Sequence, residues 1–303
     1  MGKIKAGLIG CGRIGYSFDL DEKRRGTWTH AGAYHKSDKV DFVGAYDTYK
    51  SVNECASKYN VKAYPNIKEM VEELDVISIA VPESLHERVL EDILALFKKA
   101  DKTPKVLWVE KPFTGNLRIA RDLVDRFAAY NCHIHINYQR RFCEGFEFIK
   151  GKGVPSHVDV TYVRGLYNTA SHFVDFIVGL YGKPDRVSVS KMESDFVMHY
   201  NSFRVNFSML EGLRYNICDT TFYHSTEVIR APALQTSLEI TKAVASEQYS
   251  EYLDLGEPVK QEMVYEPMLK QVETIAEAVK TGKYNKLNNG LITLQILEKA
   301  SND

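Results

Sequence analysis

The chain has 303 residues, enough for two ordinary domains, and its 44 % apolar content can fill a core in each. Its net charge is −1 with acids and bases interspersed, which offers no clustered basic face for nucleic acid, and no apolar run approaches the ~20 residues of a membrane span. The opening MGKIKAGLIG lacks a secretory pattern, and Ala6 stands where a myristoylation signal wants Ser or Thr. Cys11, Cys55, Cys132, Cys143 and Cys218 are scattered and never form a CxxC pair. A cytoplasmic protein with free thiols and no metal site is therefore expected.

The first half alternates strand and helix. IKAGLIG reads as a buried strand that runs into GCGRIG and a helix. VDFVGAYD is a second strand, SVNECASKY a helix and DVISIAVP a strand apolar on both faces. SLHERVLEDILALFKKA is an amphipathic helix with Ser84 as N-cap, followed by the strand KVLWVEKP, the helix NLRIARDLVDRFAAY and the strand CHIHINY. The alternation predicts an α/β fold, a Rossmann-type doubly wound parallel sheet over residues 1–138.

Within GCGRIG, Gly10 permits a tight turn, Gly12 lets the backbone approach a pyrophosphate, and Gly15 lets the helix pack close to the strand. Arg13 and Ile14 complete the loop, whose amides face the phosphates. Asp47 ends the second strand, where a carboxylate accepts from ribose hydroxyls and repels a 2′-phosphate, which favours NAD over NADP. A phosphate-free turn and an ordinary strand-end Asp are the plain alternatives. The insertion SFDLDEKRRGTW puts Asp47 farther from the glycines than usual. Its Lys23, Arg24 and Arg25, beside Asp19, Asp21 and Glu22, make either a solvated loop or a lid over cofactor or anionic substrate.

After Tyr138 the rhythm changes. HVDVTYVRG, DRVSVSKME, SFRVNFSML, RYNICDTTF and TEVIRAPAL read as strands, interrupted early by the helix TASHFVDFIVGLYG. The helices EPMLKQVETIAEAVKTG and NGLITLQILEKA follow. Residues 139–303 are thus expected to form an α+β domain with an open, mostly antiparallel sheet. Its Tyr-rich strands pack on helices or on another subunit.

Together GLIGCGRIG, VPESLHE, VEKP, INYQRRF and the later His-bearing helix resemble the glucose–fructose oxidoreductase / inositol dehydrogenase / MocA (Gfo/Idh/MocA) family of NAD(P)-dependent oxidoreductases. The resemblance covers nearly the whole chain and is strongest over residues 3–142. It implies a homo-oligomer through the C-terminal sheet and a peptide before Pro112 that can be cis. It also implies a catalytic Lys111 that hydrogen-bonds the reacting oxygen, with Glu110 orienting nearby groups or touching the cofactor; a surface ion pair before a turn is the plain reading. Pro82 and His86 match the family's loop near the nicotinamide ribose, although His86, like His30, can equally be a helix-start residue, His86 facing solvent there. Arg140 is a candidate substrate contact, and a solvated hinge at Arg140 and Arg141 is the alternative.

The family's second catalytic segment, D-x-G-x-H-x-x-D, reads NTASHFVD here. His172 and Asp175 match; Asn168 and Ala170 depart from the pattern. The resemblance makes His172 the acid/base, with Asn168 four residues before it on one helix face. Asn168 can orient His172 or bind a sugar hydroxyl, Tyr167 is an alternative proton donor and substrate contact, and Asp175 pairs structurally. The resulting expectation is an NAD-dependent oxidoreductase passing hydride between nicotinamide and a sugar, cyclitol or related polyhydroxylated substrate. The rivals are a redox-neutral NAD-assisted glycosidase or epimerase, and a non-catalytic NAD-binding regulatory protein.

Overall fold

A computed structural model describes residues 2–24, 26–190, 194–232 and 236–301. Arg25 of the insertion, Lys191 to Glu193 of one expected strand, and Ala233 and Leu234 of another lie outside the described residues. By contact density the chain divides into two units. One takes the chain up to Gln139 together with Glu266–Leu291; the other takes Arg140–Tyr265 and the chain from Ile292. The second unit expected over residues 139–303 is therefore not continuous.

The first unit is an α/β sheet built from β1 (Ile4–Ile9), α1 (His30–Lys36), β2 (Val40–Tyr46), α2 (Ser51–Tyr59), β3 (Lys62–Ala63), α3 (Ile67–Glu73), β4 (Val76–Ile79), α4 (His86–Phe97), β5 (Val106–Val109), α5 (Leu117–Ala128) and β6 (His133–Ile136). Its strands pair in the order β3-β2-β1-β4-β5-β6, all parallel. The order reverses between β1 and β4, so a crevice forms at the carboxyl end of β1, where such sheets bind ligands. β4 and β5 are buried at every position, which explains their apolar runs, interrupted at Ser78 of β4.

Two local expectations change. The Asn116 side chain caps α5, accepting from Arg118 N at 2.9 Å and Ile119 N at 3.2 Å. Ser84 caps nothing, because Leu85 N donates to Pro82 O and closes a 3₁₀ turn, Glu83–Leu85, so α4 starts at His86 without a side-chain cap. The helix expected directly after the glycines is one turn only. Tyr16 N bonds Gly12 O, a 3₁₀ turn follows at Ser17–Leu20, and α1 begins at His30.

The second unit contains α6 (Glu144–Lys150), β7 (His157–Tyr162), α7 (Ser171–Tyr181), β8 (Arg186–Val189), β9 (Phe196–His199), β10 (Arg204–Met209), β11 (Asp219–Tyr223), β12 (Glu227–Ala231), β13 (Ser237–Ala245), β14 (Leu253–Leu255) and β15 (Val259–Glu262). The sheet order is β14-β13-β12-β11-β7-β10-β9-β8, with β15 on β13. Among the described residues only the β7–β10 pairing is parallel. On β7 the buried Val158, Val160 and Tyr162 alternate with half-buried His157, Asp159 and Thr161. One face therefore packs in a core with Phe173, Phe176 and Ile177 of α7, as period-two patterning requires. The strand expected over RYNICDTTF begins only at Asp219.

Two closing helices follow, α8 (Pro267–Thr281) and α9 (Leu291–Ser301). Met268, Val272, Ile275 and Ala276 of α8 enter the core of the first unit, whereas Ile296 and Leu297 of α9 enter that of the second. Amphipathic patterning shows that a helix has an apolar face but not which sheet will cover it. All five cysteines are free and buried, and among the described residues no helix is long and apolar enough to cross a membrane.

Candidate functional site

At the end of β1 the chain turns at Gly10 with φ +98°, and a Cβ there would sit 2.7 Å from the Ala80 backbone. A Cβ on Gly15 would meet Gly10 O at 2.0 Å, so both positions exclude any side chain. Gly12 has open space where its Cβ would point, which leaves its backbone approachable, and Arg13 beside it is exposed. Asp47 follows β2, its Oδ2 accepting from Cys11 N at 2.6 Å and its Oδ1 from Tyr49 N at 3.0 Å. The carboxylate is thus held against the glycine turn. An open cradle of backbone, bordered by a fixed carboxylate, suits a dinucleotide with free ribose hydroxyls.

The insertion leaves and rejoins one helix. His30 N bonds Ile14 O at 3.1 Å and Ala31 N bonds Gly15 O at 3.0 Å, the rungs that a continuous helix would form with residues four apart. The described residues between Ser17 and Trp28 are looped out between these rungs. Asp19 ties the loop down, accepting from Trp28 N at 2.7 Å and Thr29 Oγ1 at 2.5 Å, while Arg24 lies 4.0 Å over the Phe18 ring. Thr29 Oγ1 in turn caps α1 at Gly32 N.

Glu110, Lys111 and Pro112 follow β5, and the Lys111–Pro112 peptide is cis. Glu110 is 8 % exposed and accepts from Asn137 Nδ2 and from His30 Nε2, the latter at 2.9 Å. Burial pushes its carboxyl up, but the bonds from His30 and Asn137 and the charge of Lys111 more than offset this. The group sits below its ordinary value. Lys111 is half-buried; burial pushes its ammonium below the usual lysine value, opposed by Glu110 and Glu83. A cation in partly desolvated surroundings donates a stronger hydrogen bond than one in water. Pro82 is exposed at the start of the 3₁₀ turn. His86 does not face solvent: it is 1 % exposed, with Nδ1 2.9 Å from Pro112 O and Nε2 3.0 Å from Val81 O. Its ring joins the Pro82 loop to the Pro112 segment, because two inward-facing carbonyls offer more than water does to a helix-start ring.

The second unit carries the remaining candidates. NTASHFVD does not form a simple α-helix. A single π turn, Leu166–Ala170, follows Arg164 and Gly165, both at positive φ, with Ala170 N bonding Gly165 O at 3.3 Å. Such turns are frequent at functional sites. Asn168 is exposed there, Tyr167 and His172 are half-buried, and Tyr167 OH lies 3.3 Å from Ser301 Oγ. Asp175 is fully buried and structural, held by Arg141 at 2.5 and 2.7 Å and by Thr293 Oγ1 at 3.1 Å. Arg140 is half-buried rather than a solvated hinge, its guanidinium 4.2 Å over the Phe173 ring. A cavity of about 430 Å³ beside Gly165 is lined by Arg164, Glu211, Arg214 and Tyr215. Sequence reading passed over it because its lining comes from a stretch taken for a strand. It also passed over Asn137 and Gln271, which no local motif marks. Among the described residues no group of three or more His, Cys, Asp or Glu could hold a metal ion.

Residues 4–138 match the profile of an oxidoreductase family with an NAD-binding Rossmann fold, GFO_IDH_MocA. No curated protein matches the chain. Among solved structures, UDP-N-acetylglucosamine 3-dehydrogenase GnnA from Acidithiobacillus ferrooxidans aligns with TM-score 0.73 at 17 % identity, over 99 % of this chain and 97 % of that one. A Desulfitobacterium hafniense protein, whose name proposes an NADPH-dependent oxidoreductase, aligns with TM-score 0.78 at 15 % identity, over 99 % and 95 %. The dehydrogenase MviM from Clostridium difficile aligns with TM-score 0.74 at 16 % identity, over 98 % of each chain. At such identities these likenesses establish the fold. With a glycine turn, a tethered Asp47 and an EKP segment at the carboxyl ends of its parallel strands, residues 4–138 match the NAD-binding Rossmann model of the GFO_IDH_MocA oxidoreductase family.

Proposed function

We propose that the protein is an NAD-dependent dehydrogenase or reductase acting on a CH–OH group of a sugar, cyclitol or related polyhydroxylated molecule. The observation that carries the reading is Lys111, a half-buried ammonium at the carboxyl end of β5 beside an ionised, anchored Glu110. NAD, when bound, supplies the hydride acceptor or donor. Gly10, Gly12, Arg13, Ile14 and Gly15 would hold its pyrophosphate and Asp47 its ribose. Lys111 would hydrogen-bond the substrate oxygen and stabilise the charge that gathers there as hydride leaves the carbon, an effect that grows toward the transition state. His172 would take or return the alcohol proton, a part that rests on the family pattern. UDP-N-acetylglucosamine, the substrate in the name of one structural neighbour, leads the sugar nucleotides to test. Self-association through the open sheet of the second unit is proposed with it, and sedimentation reads it directly.

The test follows NADH absorbance across sugars, polyols, sugar acids and sugar nucleotides. Lys111→Ala is expected to lower kcat and kcat/KM together by roughly 10²–10⁴-fold while NAD affinity stays within about twofold. A variant that keeps full turnover but binds NAD weakly would remove Lys111 from the chemistry. Turnover of substrate without net NADH would favour the redox-neutral reading.

A further inference from the structure

The hydrogen bonds onto Glu110 can be traced outward in two arms, and their polarity follows from one fixed end. The main-chain N–H of Asn288 can only donate, and it donates to His135 Nδ1 at 3.1 Å. In the neutral ring the proton then sits on Nε2, which donates to Gln271 Oε1 at 3.2 Å. Gln271 Nε2 donates to Asn137 Oδ1 at 2.7 Å, and Asn137 Nδ2 donates to Glu110 Oε1. In the other arm His30 Nε2 donates to the same oxygen at 2.9 Å. His30 Nδ1 lies 2.8 Å from Ser78 Oγ, which lies 2.7 Å from Tyr34 OH. An ionised carboxylate only accepts, so both His30 Nε2 and Asn137 Nδ2 donate to Glu110.

Tyr34, Ser78, His30, Asn137, Gln271 and His135 are each at most 1 % exposed. A buried network of this kind is no more stable than a well-packed apolar core, and a half-satisfied one is worse. Folding alone therefore gives no reason for six polar side chains, on α1, β4, β6, α8 and just after β6, to be linked to one oxygen through His30 and Asn137. The titratable and charged groups acting on Glu110 are His30 and Lys111, and those acting on Lys111 are Glu110 and Glu83.

We propose that His30, Asn137 and Gln271 are positioning residues for the redox reaction read above: acting through Glu110, they fix a permanent negative charge beside Lys111, and so keep the ammonium that meets the reacting oxygen charged in a desolvated place. This rests on the proposed role of Lys111, and the test is chosen to read Lys111 without any substrate.

Acetylation of Lys111 by acetic anhydride is followed by mass spectrometry on the full chain from pH 5 to 10. In His30→Leu Glu110 loses a direct donor, and in Gln271→Leu the Asn137 amide that donates to it loses its anchor, so the buried carboxylate takes up a proton in the neutral range. Below that pH Lys111 loses its counter-charge and its neutral fraction rises. Labelling at pH 6 is then expected to be roughly tenfold faster than in the wild type, the equivalent of one pKa unit, and the curves should meet above about pH 9. His30→Gln, whose amide nitrogen can take the place of Nε2, restores the wild-type curve. In a Glu110→Gln background, His30→Leu adds nothing. NAD affinity in the His30 and Gln271 variants stays within about twofold. Curves that superimpose on the wild type would overturn the proposal, as would an equal effect of His30→Leu without Glu110. Failure of both Leu variants to fold would overturn it too, by making the arms structural. Curves that separate as expected while no polyhydroxylated substrate turns over would remove the redox reading alone.

Discussion

At Asp47 one carboxylate serves two ends, since the oxygen that pins the glycine turn at Cys11 N belongs to the group that would select the cofactor. The two roles separate by substitution. Asp47→Asn keeps an acceptor for the Cys11 amide but loses the charge that repels a 2′-phosphate. The NAD-over-NADP affinity ratio should fall about tenfold, or ~1.4 kcal/mol, whereas Asp47→Ala should weaken both cofactors. Fluorescence titration measures each, and a wild-type protein that prefers NADP would defeat the assignment and turn attention to exposed Lys50. Asn168 allows a second test at this scale. Asn168→Asp puts a carboxylate in the π turn before His172, and a nearby negative charge favours the protonated ring. In the oxidation direction His172 must begin neutral, so the acidic limb of kcat/KM should move to higher pH by up to about one unit. Unmoved profiles would detach Asn168 from His172 and make Tyr167 the leading proton donor.

Among the elements, the helix after the glycine turn is the most informative. Because His30 and Ala31 bond to Ile14 and Gly15 on the rungs a continuous helix would use, deleting residues 17–28 should join Tyr16 to Thr29 with the ladder intact. The shortened protein is expected to fold with its melting temperature lowered by no more than a few degrees, about 1 kcal/mol, and to bind NAD. Loss of cooperative unfolding would show that Asp19 and its partners hold the turn in place. The sequence located these twelve residues because the motif and Asp47 stood too far apart, but it could not show the ladder resuming, which depends on carbonyls meeting amides across the loop. Likewise α2 was legible to the residue from its pattern, and β4 and β5 from their apolar runs, since local propensity and burial agree there. The strands β9, β13, β14 and β15 were not. They are short, or carry exposed apolar residues such as Leu253, Leu255 and Val259, whose pairing comes from distant partners rather than alternation. Within the site, Lys111, Glu110 and the glycines were legible from motifs, whereas Asn137 and Gln271 became visible only once β6 and α8 were packed together.

For the molecule as a whole, the decisive fact is that α8 belongs to the first unit although it is separated from it in sequence by most of the second. Met268, Val272 and Ile275 are each about 1 % exposed in that core, and burying three such side chains contributes roughly 5 kcal/mol or more. That is comparable to the whole stability of an ordinary domain, about 5–15 kcal/mol. Residues 2–139 expressed alone should therefore fail to unfold cooperatively in urea, and attaching residues 266–291 through a flexible linker should restore a sharp transition. A cooperative melt of the shorter piece would show that the returning helix is dispensable. The same return has a consequence in time. A ribosome adds about 5–20 residues per second, so Asn137 emerges on the order of ten seconds before Gln271, and Asn288 later still. During that interval the nascent Rossmann strands can pair and His30 and Asn137 can reach Glu110, but Asn137 still lacks its own donor, Gln271. A polypeptide released early would carry the glycine turn and Lys111 yet leave the Asn137 amide unanchored, so the support behind Glu110 is complete only in chains translated beyond residue 288.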